Sequence, residues 1–355
     1  MPNQTINNAQ SASQNQSITN WRALVAPYST PDHWRSIWQI ANSVLPFLAM
    51  WYVMYRSLAV SYWLTLALAP VTCGFMTRVF IILHDCGHGS FFKSPRASHI
   101  VGTICGILTN TPYHQWTREH AIHHATSGDL NRRGVGDVDT LTVKEYLALS
   151  KFNRLRYWLY RHPLVIFGIG PHYIFLYWHR FVGKHSGTRE RNNLYLTNVA
   201  LYAIWGAAIY ALGLKTFLLL WVPVQILTGV WGVWLFYVQH QYENTYWQRG
   251  KDWDYATAAL QGSSYYKLPR LLQWFSGNIG FHHLHHLSPK IPNYKLQACH
   301  EANPLFQQSP VLTFWASLKC ASLKLWDEES QRLVGWDHLK KAPVINAEPE
   351  FVSGD

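Results

Sequence analysis

Charge is what this sequence has least of. Only 14% of its 355 residues are Asp, Glu, Lys or Arg, against about 25% in an average soluble domain. The shortage is concentrated in two blocks. From residue 36 to 84 the only such residues are Arg56 and Arg78, and from 192 to 242 the only one is Lys215. Each block is about twice the ~20 residues that cross a bilayer, which excludes an ordinary soluble enzyme. Cysteine is scarce too. Cys73, Cys86, Cys105, Cys299 and Cys320 make an odd set without a CxxC pair, which excludes a secreted disulfide scaffold and fits a reducing compartment. HExxH is absent, and with it the commonest zinc-protease signature. The first twenty residues include nine Asn or Gln and no charge, so they read as a polar tail and not as a signal peptide.

What is present is an all-α integral membrane pattern. The first block splits near Arg56 into spans over roughly 38–55 and 62–83, and the second near Lys215 into spans over roughly 194–212 and 217–238. Two transmembrane hairpins then put residues 1–35, 84–193 and 239–342 on one side, with a tail over 343–355. Fourteen Lys and Arg lie in 84–193, while the two opposite turns hold Arg56 and Lys215. The shared side is therefore expected to be cytoplasmic. The net charge of +11 is read as a face for anionic headgroups, with no nucleic acid partner. Two shorter apolar segments, 100–108 and 164–178 with Pro171 inside, are expected to be interfacial or re-entrant. Arg78, near the cytoplasmic end of its span, is expected to snorkel and to have no catalytic role.

The chemistry sits in the 19 histidines. His84 and His88 form HxxxH after the second span, and an i, i+4 pair on a helix faces one way. His120, His123 and His124 form HxxHH, and His282, His285 and His286 form a second HxxHH with His283 out of frame. His240 follows the fourth span. A lone histidine near a membrane surface is ordinarily a polar anchor. Several clusters at ligand spacing on one side are different, because buried imidazoles need a common partner. Imidazole suits Zn, Cu, Fe and Ni alike. One zinc takes four ligands, so about nine histidines point to two metals. Asp85, Glu119 and Glu243 stand beside these histidines and are candidates to orient them from behind.

The boxes HDCGH, HAIHH and HHLHH resemble those of the membrane fatty acid desaturase superfamily. The longer strings HDCGHGSFFKS (84–94), EHAIHHATSGDLNRRGVGDV (119–138), WLFYVQHQYE (234–243), GSSYYKLP (262–269) and GNIGFHHLHHLSPKIPNYKL (277–296) are similar to bacterial acyl-lipid desaturases, in particular the cold-induced Δ5 type of bacilli. This resemblance implies a cytoplasmic helical cap holding two Fe ions, with O2 as co-substrate. It implies the nine ligands His84, His88, His120, His123, His124, His240, His282, His285 and His286. It also implies a reaction that inserts a cis double bond into a phospholipid acyl chain, Δ5 favoured over Δ9 or Δ12 (omega-6). Acyl-CoA members of the superfamily carry an Asn four residues before the isolated histidine, and here that position is Phe236. The first box has three intervening residues instead of the four of that branch, which favours an acyl-lipid substrate.

Trp116, Trp234 and Tyr237 are the aromatic candidates for acyl contact. Arg118, Arg132, Arg133, Lys267, Arg270 and Lys290 are candidates for a basic face that meets headgroups or an acidic ferredoxin-type electron donor. No flavin site, GxGxxG or cytochrome-like segment is recognisable, so electrons are expected from outside. Three other functions stay open. A di-iron fatty acid hydroxylase or a carotenoid ketolase or hydroxylase would use similar boxes. A histidine-rich metal transporter would need polar groups inside its spans, which are nearly absent. A zinc-dependent hydrolase is disfavoured by the ligand count.

Overall fold

The computed structural model of the chain describes residues 20–340; the expected tail at 343–355 and the first nineteen residues lie outside the described residues. Among the described residues, four helices are long and apolar enough to cross a membrane. Helix α1, His33–Ser57, starts where the Asp32 carboxylate accepts the Arg35 N–H at 3.0 Å, the usual capping of an orphan donor. A short turn leads to α2, Tyr62–His88, capped by Ser61 and ended by Gly89 in the left-handed region at φ +62. Gly89 closes the helix because it alone takes that conformation without a Cβ penalty.

Helices α3, Pro95–Leu108, and α4, Tyr113–Thr126, form a tight hairpin beside the end of α2. The turn between them is close-packed. A Cβ on Gly106 would sit 2.4 Å from the Thr111 carbonyl oxygen, and the Tyr113 hydroxyl donates to the Cys86 carbonyl at 2.9 Å. This ties α4 to the last turns of α2. The segment 100–108 is thus part of a regular helix, exposing Ile100 and Ile104 on one side and burying Gly102, Thr103, Cys105 and Gly106 on the other. The segment 164–178 is helical and largely of the wide π type, with Leu164, Ile169, Tyr173 and Tyr177 exposed. Its Pro171 lies against Gly229, where an added Cβ would come within 3.0 Å of the proline ring.

The second hairpin is α5, Thr188–Leu212, and α6, Leu214–His240. Pro46, Pro70 and Pro223 lie inside spanning helices, a placement membrane helices tolerate because neighbours re-satisfy the freed carbonyl. Helix α2 is the buried centre. Met76, Val79, Ile82 and Leu83 are inaccessible, and it packs on α1, α3 and α6. The outer spans show large apolar side chains such as Trp38, Leu45, Tyr202 and Leu218 to the surroundings, as a lipid-facing surface requires.

Two expectations change. The sequence places the histidines after the second and fourth spans, whereas α2 and α6 run unbroken through His88 and His240, so these imidazoles occupy the last turns of the spans themselves. Arg78 does not snorkel. It is buried, with Nε donating to Ser43 Oγ at 3.1 Å, Nη2 to Asn42 Oδ1 at 3.0 Å and Nη1 to the Trp274 carbonyl, and its guanidinium lies 3.7 Å from the Trp274 ring centre. Polar acceptors from α1 and a cation–π face let it stay inside, linking two spans to the cap.

The cap, residues 241–340, is mostly short helices, including α7, His282–Leu287, and α8, Asn293–Ala302. It also holds two minimal sheets that the sequence does not announce. Tyr265–Lys267 pairs in parallel with Val311–Thr313, and Leu325–Asp327 pairs antiparallel with Arg332–Val334. With three residues per strand, they staple loops and build no sheet layer.

The close approach at Gly106 is testable. Gly106→Ala must push back the backbone of the turn before α4 and should cost about 1–3 kcal/mol, lowering the thermal midpoint of the protein in detergent. An unchanged midpoint would contradict the packing of that hairpin.

Candidate metal centre

Four helix segments deliver histidines to one buried place. His84 and His88 come from the last turn of α2, His120, His123 and His124 from α4, His240 from the end of α6, and His282, His285 and His286 from α7. They sort into two groups. His84, His88, His120 and His285 offer four nitrogens within 4.8 Å of one another, and so do His123, His240, His282 and His286. The helical spacing makes this division. On α4, His120 faces the first group and His123 the second. On α7, His282 and His286, four residues apart, face the second group while His285 faces the first. His124 lies between, its ring stacked 4.1 Å from His286 and set edge-on 4.7 Å from His88.

The nitrogens point at each other. His84 Nε2 lies 3.0 Å from His285 Nε2, His282 Nε2 is 2.9 Å from His240 Nε2, and His123 Nε2 is 3.2 Å from that same His240 atom. A neutral imidazole has one N–H and one lone pair, so four converging rings cannot all satisfy one another. His88 Nε2 and His286 Nε2 are buried with no protein partner. Burial, reinforced by the neighbouring imidazoles, holds His120, His124, His282, His285 and His286 well below the ordinary imidazole pKa. These five rings are therefore neutral and their lone pairs available, which is the form a metal binds. An all-nitrogen set of this kind fits two metal ions and has no sulfur or carboxylate in it.

Behind the rings are the groups that fix them. Asp85 Oδ1 lies 2.9 Å from His84 Nδ1, and its Oδ2 accepts from the Asn293 backbone N–H at 2.7 Å and side chain at 2.8 Å. Asp137 accepts from His123 Nδ1. The Gly262 carbonyl stands 3.2 Å from His240 Nδ1. Each sets the tautomer that leaves Nε2 facing inward. Glu119 and Glu243 do not do this. Glu119 turns back along α4 to Gln115, and Glu243 is exposed, 3.5 Å from Arg332. Glu119, next to His120 on α4, points about a quarter-turn away from it, and Glu243 lies in the turn beyond the end of α6, so adjacency does not give contact. Asp137 is missed by sequence reasoning because it lies in a loop fourteen residues after His123, with no periodic relation to it. Gly136, at φ +71, lets that loop press on α4: a Cβ there would stand 3.1 Å from the His123 Cβ.

His283 stands outside both groups, its Nε2 3.2 Å from His300 Nδ1, and burial pushes its imidazole down to about 3. Of the aromatic candidates, Trp116 stacks on the His120 ring at 4.4 Å. Trp234 donates to the Tyr266 hydroxyl, and Tyr237 is buried with its hydroxyl donating to the Leu323 carbonyl, so both serve packing. Phe236 lies 5.2 Å from the His123 ring and 5.6 Å from His240, putting an apolar face beside the second group.

The description "Fatty acid desaturase" belongs to the family model that matches residues 61–316, a stretch that contains all nine histidines. The chain belongs to the fatty acid desaturase family. A fatty acid desaturase of Bacillus subtilis is 48% identical over 320 residues, covering 90% of this chain and 91% of that protein. A chloroplastic omega-3 fatty acid desaturase of Brassica napus is 28% identical across 77% of this chain and 70% of its own length. An Arabidopsis thaliana sn-2 acyl-lipid omega-3 desaturase (ferredoxin), chloroplastic, is 28% identical across 63% of this chain and 51% of its own. The desaturase is accordingly an oxidoreductase with a helical integral-membrane fold, and its paired histidine groups are suited to metal.

The orienting carboxylates give a sharp contrast. Asp85→Asn places an amide N–H against the donors of Asn293 or His84 and should weaken metal binding about 10- to 100-fold. Glu243→Gln should leave it at the wild-type value. Metal titration of the purified variants checks both, and equal effects would contradict the assigned orientations.

Proposed function

We propose that the desaturase inserts a cis double bond into acyl chains of membrane lipids, using O2 and two iron ions held by the nine histidines at the cytoplasmic face. The observation that carries this reading is the pair of four-imidazole groups built on shared helices, with His124 between them. The iron pair supplies, when bound, the oxidising power to remove two hydrogens from adjacent methylenes. What the protein does is orient, exclude and admit. Asp85, Asp137 and the Gly262 carbonyl hold their imidazoles in the ligating tautomer. Trp116 and Phe236 cover the two groups with apolar rings, which keeps water off and leaves a surface an acyl chain can follow. The acyl-lipid substrate rests on the resemblance of the boxes and on the likeness to the Arabidopsis sn-2 acyl-lipid desaturase, and the Δ5 position on the resemblance of the boxes.

Electrons are brought in from outside in this reading, since no flavin or haem site is recognisable among the described residues. A ferredoxin-type donor fits an exposed basic surface. Of the six basic candidates all but Arg133 are exposed, but Arg132 pairs with Asp129, Arg133 with Glu145, Arg118 with the His185 carbonyl and Lys290 with the His88 carbonyl at 2.8 Å. Lys267 and Arg270 are thus the freest to meet an acidic partner. Charge reversal of both should slow reduction by ferredoxin, most at low salt, while iron content stays at the wild-type level.

The reading is tested by expressing the chain, with a ferredoxin and its reductase, in a bacterium whose lipids lack the product. Mass spectrometry of derivatised acyl esters should locate one new double bond that is absent with His123→Ala. A hydroxylated or keto product would replace desaturation with oxygen insertion. A chain that binds zinc alone and makes no oxidised lipid would overturn the proposal.

A further inference from the structure

Among the described residues, Arg161 is the most deeply buried of the arginines and lysines. Its side chain is fully inaccessible. Burying a guanidinium is costly unless its donors are met; here five acceptors, none of them a carboxylate, meet its two terminal nitrogens, while Nε has no partner. Nη1 donates to the Asp139 carbonyl at 3.0 Å and Thr140 Oγ1 at 3.2 Å. Nη2 donates to Gln241 Oε1 at 2.8 Å, the Tyr237 hydroxyl at 3.2 Å and the Leu323 carbonyl at 3.1 Å.

Four of these acceptors belong to two places that matter, and the fifth, the Leu323 carbonyl, lies in the cap. Asp139 and Thr140 continue the loop whose Asp137 holds His123. Gln241 and Tyr237 flank His240, one residue after it and three before. Thr140 and Gln241 also bond to each other, Gln241 Nε2 donating to Thr140 Oγ1 at 3.2 Å. His123 and His240 are both members of the second histidine group, their Nε2 atoms 3.2 Å apart. No member of the first group lies on a segment that Arg161 holds. Its orienter Asp85 is fixed instead from α8, by Asn293.

The geometry points to Arg161 as a positioning residue for the second metal site alone: one planar fork sets the distance between the loop that orients His123 and the helix end that carries His240. The inference rests on the two-metal reading above. Only an arginine does this. Its donors diverge in one plane, so both segments are gripped at once, whereas a lysine is a point charge at the end of a flexible stem. With the fork removed, Asp137 and His240 are free to drift apart, the second site loses its shape and the first keeps its own.

The test loads purified wild type, Arg161→Lys, His282→Ala and His285→Ala with ⁵⁷Fe(II) in detergent, then follows iron per chain and Mössbauer spectra. Wild type should bind two ions, one per histidine group. Arg161→Lys should keep one site unchanged and weaken the other about 10- to 100-fold, the usual cost of losing an outer-shell support. Its spectrum should match His282→Ala, a second-group variant, and not His285→Ala. Equal loss of both sites, or two sites of wild-type affinity, would overturn the inference. Gln241→Leu removes one tether and leaves four, so it carries the same test, with a smaller effect, if Arg161→Lys does not fold. A wild type that fails to bind two ions would strike the two-metal reading itself, and this shows before any variant is examined.

Discussion

Nine imidazoles crowded into one buried volume are the constraint on which the rest of the structure depends. Their nitrogens lie close to one another, several without any other partner. Protons cannot resolve this. A charged imidazole would meet both burial and its neighbours, and neutral rings have more lone pairs aimed inward than N–H groups to meet them. Metal ions resolve it, each accepting several lone pairs at once. The histidine cage is thus suited to metal, which the protein's own groups do not replace.

The architecture follows from feeding that volume. Two spans, α2 and α6, end in it and bring His84, His88 and His240 to the same side of the membrane. Helix α4 is pinned to α2 by the Gly106 turn and the Tyr113–Cys86 hydrogen bond, so its three histidines fall opposite. The cap closes the volume with α7. Behind the rings, a second layer is divided as the first is. Asp85 and Asn293 serve one group, and Asp137, Gly262 and the Arg161 cross-link serve the other.

Much of this is legible in the residues. The charge gaps announce the four spans, and the spacing of the boxes picks out the histidines that the fold brings together, because helical periodicity acts locally. What is not legible depends on contacts between distant segments. Asp137 and Arg161 are unremarkable in the sequence, since a loop and a turn bring them to His123 and His240. Adjacency misleads at Glu119, whose side chain leaves α4 in another direction, and at Glu243, which lies exposed in the turn after α6. Arg78 misleads for the opposite reason: acceptors on α1 and in the cap make the interior habitable for a charge that, on its own helix, would have to reach for water. The two three-residue sheets leave no alternating pattern long enough to read.

The central claim is that bound metal satisfies the imidazole cage and thereby holds the helices around it. The most direct measurement is the unfolding midpoint of the purified protein in detergent, before and after removal of metal by a chelator and again after restoring ferrous iron. The account predicts a clear fall on chelation, reversed by iron, because a ligand that binds only the folded state stabilises it. A midpoint that does not move when the metal is removed would contradict it.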